Sequence, residues 1–190
     1  LRPWQGQTES ISLANQPEYD PACYLCSGNE RANGERNPEY IGPYIFDNDF
    51  PALSAASTIE SSGNPLFEAR TESGRCRVVC FSEKHNERLS TMTHVDMARA
   101  LTVLIDEFST LSTSGLYEYV QVFENRGEMM GCSNQHPHGQ IWATEHLPTE
   151  ITKELASQRA HNHASGSALL MDYLDAELTD GARIIAGNEH

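Results

Sequence analysis

From Thr93 to Leu111 the apolar residues recur at helical spacing: Met97, Leu101, Leu104, Ile105, Phe108 and Leu111. That stripe predicts an amphipathic helix whose Met and Phe serve the core. Thr93, with Asp96 three residues on, supplies an N-terminal capping pair. Elsewhere the period shortens. "YEYVQVFENRG", from Tyr117, alternates apolar and polar residues and predicts a strand, and "RCRVVCFS", from Arg75, is β-branched and predicts a buried one. Cys76 and Cys80 then read as core residues. Tyr44 to Phe46 predicts a short aromatic strand before a polar turn at Asp47–Asp49. A further strand runs from His136 through "QIWATEHL". Two more helices are expected, one from Pro148 to His161 capped by Thr149, and one over "ALLMDYLDAEL". An Asp180–Gly181 turn and a last strand, "ARIIAG", follow.

The remainder is polar and turn-rich: residues 1–22, residues 54–65, and "YDPACYLCSGNERANGERNPEY" from Tyr19, a set of loops with no apolar core of its own. The elements define an α+β fold, an antiparallel sheet with a helix packed on it. There is no internal repeat. The 190 residues suffice for one substantial core or two small ones, and are read here as a single domain over 1–190.

Composition narrows the function. The net charge of −14 argues against nucleic acid and anionic membranes as partners. No apolar run is long enough to span a bilayer, and no signal peptide opens the chain. Five cysteines, an odd count in a chain with an ordinary core, fit a reduced, cytoplasmic protein better than a disulfide framework.

Two stretches carry chemistry. Cys23 and Cys26, in "CYLC", have the spacing of a zinc half-site, or of a redox pair. Two more ligands would close a tetrahedral site, and His85 in "FSEKHNERL" and His136 are the candidates. Such a site would staple the loops after Tyr19. His94, His146, His161 and His163 read as surface or capping residues, and "HNHASGS" as a flexible loop. In "GCSNQHPHGQIWATEH", His136, His138 and Gln140 stand at steps of two. On a strand they would share one face, with about 7 Å between successive members. A solvated strand face carries the same pattern. If His136 holds metal, His138 is held beside it, and a neutral imidazole is a competent nucleophile toward phosphorus. Gln140 can donate its amide N–H to a phosphoryl oxygen, as positional catalysis of phosphoryl transfer requires. The glycine-punctuated "NRGEMMGCSN" could present backbone N–H groups and the Ser133 hydroxyl to phosphates. Pro137 suits an edge position whose backbone donor is not needed.

"GCSNQHPHGQIWA" closely resembles the active-site signature of the galactose-1-phosphate uridylyltransferases, the uridylyl-transferring branch of the histidine-triad superfamily. "RPWQG", "CYLCSGNERANGERNPEY", "FDNDFPAL", "VVCFSEKHNERL" and "VQVFENRG" resemble further family segments in family order, so the resemblance covers essentially the whole chain. It implies a histidine-triad-like antiparallel sheet with packed helices and zinc-stapled loops. It implies zinc on Cys23, Cys26, His85 and His136, and His138 as the nucleophile that becomes uridylylated, with Gln140 beside it. Arg2, Asn48, Asp49, Asn125, Gly131, Cys132, Ser133 and Gln140 match positions that contact the UDP-sugar, and Ala32 aligns with another. Glu154 matches one ligand of a second, iron-type site, although by itself it reads as an ordinary helix-surface carboxylate. The implied partners are UDP-glucose, UDP-galactose and hexose 1-phosphates, in a cytoplasmic homodimer.

The chain also departs from the family. Members are roughly twice this length and built of two related halves. This sequence stops at "NEH", where the second half begins, and lacks an arginine expected just before "RPWQG". It therefore reads as an N-terminal half with little activity alone, the remaining iron ligands lying in the other half. Two other readings compete: a histidine-triad nucleotide hydrolase or adenylyl-transferring phosphorylase, and a zinc-stapled binding module without catalysis. True triad hydrolases carry His where this chain has Gln140, and glutamine cannot shuttle a proton.

Overall fold

A computed structural model describes residues 16–54, 63–67, 69, 71–127, 130, 132 and 134–188. The chain divides into two compact units, Leu1–His146 and Leu147–His190.

The first unit holds four strands, β1 (Tyr44–Asp47), β2 (Gly74–Cys80), β3 (Tyr119–Phe123) and β4 (His138–Thr144), and one helix, α1 (His94–Thr113). All pairings are antiparallel, in the order β1-β2-β4-β3. The register aligns Cys80 with His138, Val78 with Gln140, and Gln140 in turn with Phe123. Alternation sorts the sheet into two faces. One face buries Val79, Ile141 and Ala143 with Phe81, Met92, Ala100 and Leu111, and α1 covers it. On the other, Phe46, Val78 and Cys80 pack against Cys23, Leu25, Cys26 and Tyr40. The loops from Tyr19 to Tyr40 thus lie over the β1–β2 half of that face, and His138, Gln140 and Trp142 on β4 are half-buried beside them.

Side-chain amides take the place of secondary structure in those loops. Asn29 Nδ2 donates to the carbonyls of Asp20 and Cys23 at 2.9 and 2.8 Å. Asn37 Nδ2 donates to those of Tyr24 and Cys26 at 2.9 and 3.0 Å, and Tyr40 Oη to that of Leu25 at 2.6 Å. Backbone carbonyls that no ladder reaches are satisfied this way.

Helix α1 starts as expected, with Thr93 as N-cap accepting from Asp96 N–H. Its core-facing arc is rotated from the expected stripe: Met97, Ala100, Val103, Leu104 and Leu111 face the sheet, while Leu101, Ile105 and Phe108 are exposed. The helix is apolar over more than one stripe, and the sheet can cover only one.

Strand β4 begins at His138, not His136. Pro137 has no N–H to give a ladder, and its carbonyl accepts from Phe81 N–H at 3.2 Å. The His136 N–H goes instead to Asn134 Oδ1 at 2.8 Å. Gly139 faces the α1 side, where a Cβ would stand 2.9 Å from Phe81 Cζ and 3.1 Å from the Phe123 carbonyl oxygen. Gly139→Ala is therefore expected to cost about 1–3 kcal/mol by overpacking. Denaturant unfolding checks this, and an unchanged midpoint would mean that β4 sits more loosely than described.

The second unit holds α2 (Thr149–Ser165) and α3 (Leu169–Asp180). Thr149 is the first helical residue of α2, and Pro148 takes the N-cap position without a side-chain hydrogen bond. Helix α2 runs four residues past His161, to a left-handed Gly166, so most of "HNHASGS" is helical. His161 Nε2 and Asp172 Oδ2, 2.6 Å apart, tie α2 to α3. Residues 182–187 form no strand, and Ile184 and Ile185 stay exposed. Their β-branched side chains suit a strand, but among the described residues no strand pairs with them.

Candidate metal centre and the β4 row

The Cys23 and Cys26 thiols and the His85 and His136 rings converge, each offering one ligand atom, all within 4.8 Å of one another. All four residues are buried, His136 and Cys26 completely. Neither cysteine is in a disulfide. Cys26 N–H donates to the Cys23 carbonyl at 3.2 Å, the tight turn that brings two thiols to one side. His85 comes from the loop after β2, its backbone N–H held by the Glu18 carbonyl at 2.8 Å. His136 comes from the approach to β4.

The chemistry of this donor set fits a tetrahedral metal. Cys26 Sγ lies 3.5 Å from both His85 Nδ1 and His136 Nδ1. Ligands on a tetrahedral zinc would stand about 3.6 Å apart, given ordinary Zn–S and Zn–N bonds. The other ring nitrogen of His136 donates to the Ser82 carbonyl at 2.9 Å, which leaves Nδ1 an unprotonated acceptor facing the thiols. Burial pushes the Cys26 thiol up to about 12 and the His136 imidazole down to about 4. It also lowers His85. Burial thus disfavours charge on Cys26, His85 and His136, and a bound divalent cation would reverse the Cys26 preference by drawing off its proton. Asn134 joins the cluster to β4, since Nδ2 donates to Cys23 Sγ at 3.4 Å and Oδ1 accepts from His136 N–H.

His138 is half-buried, at the start of β4 and next to the cluster but outside it. Its Nδ1 lies 2.7 Å from the His136 carbonyl oxygen, which can only accept. Nδ1 therefore carries a proton, and in the neutral ring the lone pair is on Nε2. Gln140, two residues on, shares the His138 side of the strand, and Trp142 follows. His136 and His138 thus do not form one strand row: His136 turns into the cluster before the ladder begins, and His138 shares the open face with Gln140 and Trp142.

The other expected contact residues are dispersed. Asn48 N–H donates to the Cys76 carbonyl at 2.9 Å, just past β1. The Asp49 carboxylate is buried, its Oδ1 without a hydrogen-bond partner and 3.7 Å from Arg31 Nε. Arg31 stacks over the Phe46 ring at 4.5 Å. Cys132 Sγ donates to the Asn134 carbonyl at 2.9 Å. Ala32 and Asn125 are exposed, as is Glu154 on α2. Arg2, Gly131 and Ser133 fall outside the described residues. Sequence reasoning missed Tyr40, Ser82, Asn134 and Trp142. Trp142 could have been found by carrying the alternation of His138 and Gln140 one step further.

Residues 1–148 match the family model described as galactose-1-phosphate uridyl transferase, N-terminal domain. The chain is 44% identical over 190 residues to the galactose-1-phosphate uridylyltransferase of Haemophilus influenzae, covering all of this chain and 54% of that protein. It is 42% identical to that of Rattus norvegicus, covering all of this chain and 50% of the relative. The chain spans about half the length of the curated relatives it matches. In fold it resembles a solved uridylyltransferase mutant, with a TM-score of 0.76 at 22% identity, over 91% of this chain and 53% of the other. It also resembles an ADP-glucose phosphorylase from Arabidopsis thaliana, with a TM-score of 0.59 at 21% identity, over 80% of this chain and 48% of the other. The chain belongs to the galactose-1-phosphate uridyl transferase family, and its match to the N-terminal domain of that family takes in all four strands, α1 and the Cys–His cluster.

Proposed function

We propose that this chain is the nucleotidyl-accepting half of a UDP-glucose:hexose-1-phosphate uridylyltransferase, with His138 as the nucleophile. The observation that carries the reading is the 2.7 Å contact of His138 Nδ1 with the His136 carbonyl, which leaves Nε2 as the attacking atom. Nε2 attacks the α-phosphorus of UDP-glucose. A P–N bond forms, the P–O bond to the β-phosphate breaks, and glucose 1-phosphate leaves with the electron pair. The phosphate oxygen of galactose 1-phosphate then attacks the same phosphorus, releasing UDP-galactose and regenerating the neutral imidazole. Gln140 donates N–H to a phosphoryl oxygen in both half-reactions. Asn48, Asp49, Asn125 and Cys132, with Arg2, Gly131 and Ser133, hold the nucleotide in this reading.

Cys23, Cys26, His85 and His136 hold zinc, which supplies a rigid cross-link rather than a reacting group. The His136 carbonyl belongs to one of these four residues and also orients His138, so whatever fixes His136 fixes the nucleophile's ring. Glu154 is one ligand of a second, iron-type site completed by residues outside this chain. The family's cytoplasmic homodimer completes the reading. Identity of 44% to a named uridylyltransferase favours uridylyl transfer over the adenylyl-transferring alternative, which at 21% shares the fold. Gln140 in place of a proton-shuttling histidine disfavours hydrolysis.

Isotope exchange tests the ping-pong step in the intact protein. Labelled glucose 1-phosphate should enter UDP-glucose without galactose 1-phosphate present. Turnover that requires UDP-glucose and galactose 1-phosphate bound together, with no such exchange, would rule out the covalent route.

A further inference from the structure

Gln140 can serve a phosphoryl oxygen only if its amide points the right way round. A primary amide carries an acceptor at one end and two donors at the other, and nothing in a strand decides which end faces the reacting atoms. Here the indole of Trp142 decides it. Trp142 Nε1 donates to Gln140 Oε1 at 2.9 Å. An indole N–H donates and never accepts, so the amide oxygen must lie toward Trp142 and the NH₂ group must point away from it. Trp142 follows Gln140 by two residues and His138 precedes it by two, on one side of β4.

The indole is itself held. Its ring meets the Phe123 ring edge to face, with centroids 5.6 Å apart and planes at 79°. Phe123 is the register partner of Gln140 on β3, so one strand pair carries the amide, its donor and the ring that braces the donor. The Gln121 side chain, opposite Trp142 in the register, does not compete: its carbonyl accepts from the Tyr119 hydroxyl, and its NH₂ donates to the Val122 carbonyl.

We infer that Trp142, braced by Phe123, is a positioning residue for nucleotidyl transfer: it locks the Gln140 amide with both donors turned away from the indole, on the His138 side, an inference resting on the role of Gln140 proposed above. Trp142 touches neither phosphate nor nucleophile in this account and acts through Gln140 alone.

A double-mutant cycle in the intact protein tests this. The rate of nucleotidyl-histidine formation from UDP-glucose is measured for Trp142→Phe, Gln140→Met and the pair. Trp142→Phe keeps a ring against Phe123 and deletes the donor. It should slow adduct formation roughly 10- to 100-fold, the scale of a misplaced reacting group, with KM for UDP-glucose little changed. In the Gln140→Met background the same change should have no further effect. Replacing Trp142 by benzothienylalanine, the isostere with sulfur in place of N–H, should reproduce the loss and guards against a packing defect in the Phe variant. The geometry has its own readout, because Gln140→Met should shift the Trp142 indole N–H proton resonance upfield. An unmoved resonance, additive losses in the cycle, or full activity of the isostere each overturn the inference while leaving His138 as nucleophile. A wild-type protein that forms no nucleotidyl-histidine overturns the parent reading, and this inference with it.

Discussion

Cys26→Ser is expected to leave the protein without bound zinc and to lower its stability by at least about 3 kcal/mol. A closed four-ligand site in a loop segment contributes folding energy directly, and a removed ligand both weakens metal binding and leaves three buried polar donors without their cation. Apart from the metal cluster, those loops are held by amide–carbonyl and backbone turn hydrogen bonds, the Arg31–Glu35 ion pair and the small cluster around Leu25, Tyr40 and Phe46. Cys80→Ala is the matching control. Cys80 is equally buried in the same cluster but is not among the four converging ligands. That variant should lose about 1–2 kcal/mol of packing while retaining one metal per chain. Metal analysis with denaturant unfolding of both variants decides the matter. A Cys26→Ser protein that keeps a full complement of metal, or a Cys80→Ala protein that loses it, would mean the ligand set is drawn wrongly.

His138→Gly is expected to behave in the opposite way. Adduct formation should fall by at least about 10⁴-fold, the scale on which nucleophile removal is felt, because no other imidazole stands on the open face of β4. Zinc content should stay near one per chain, since His138 supplies no ligand atom to the cluster. Stability should change by about 1 kcal/mol, the worth of its hydrogen bond to the His136 carbonyl. His136→Asn should show the reverse order, with metal lost first and activity as a consequence. Gln140→Arg should slow the intermediate's formation or breakdown and leave zinc in place. If His138→Gly sheds metal as fully as His136→Asn does, the division of labour between the two histidines fails.

The parts of this molecule that read well from the sequence are those where a local rule has one outcome. The alternation of β4 had to be a half-buried strand, and Thr93 with Asp96 had to start a helix. Read as a zinc half-site, Cys23 and Cys26 needed two more ligands, and the candidates His85 and His136 do converge on them. The misreadings arise where several outcomes satisfy the same local rule. Helix α1 is apolar around much of its circumference, so the arc facing the sheet depends on what the sheet can cover, and Leu101, Ile105 and Phe108 were assigned inward although they face out. "ARIIAG" has the composition of a strand, but a strand also needs a neighbour. His136 and His138 looked like one row because period two was carried through Pro137, which cannot join a ladder. Most of the supporting shell was not legible. Ser82 acts through its carbonyl, which every residue has, and Asn134 matters for the Cys23 Sγ that its amide reaches at 3.4 Å rather than for its sequence spacing. Trp142 lay within reach of the β4 alternation, but its hydrogen bond to Gln140 did not.

The central claim is that one histidine of "HPH" is fixed by metal so that the other can be nucleotidylated. Mapping the adduct addresses it most directly. The intact protein, with zinc quantified per chain, is incubated with UDP-glucose without a sugar-phosphate acceptor, digested, and its modified peptide sequenced by mass spectrometry. The expected result is one uridylyl group per chain on His138, in protein carrying one zinc on the Cys–His cluster. A uridylyl group on any other side chain, or none on fully zinc-loaded protein, would contradict it.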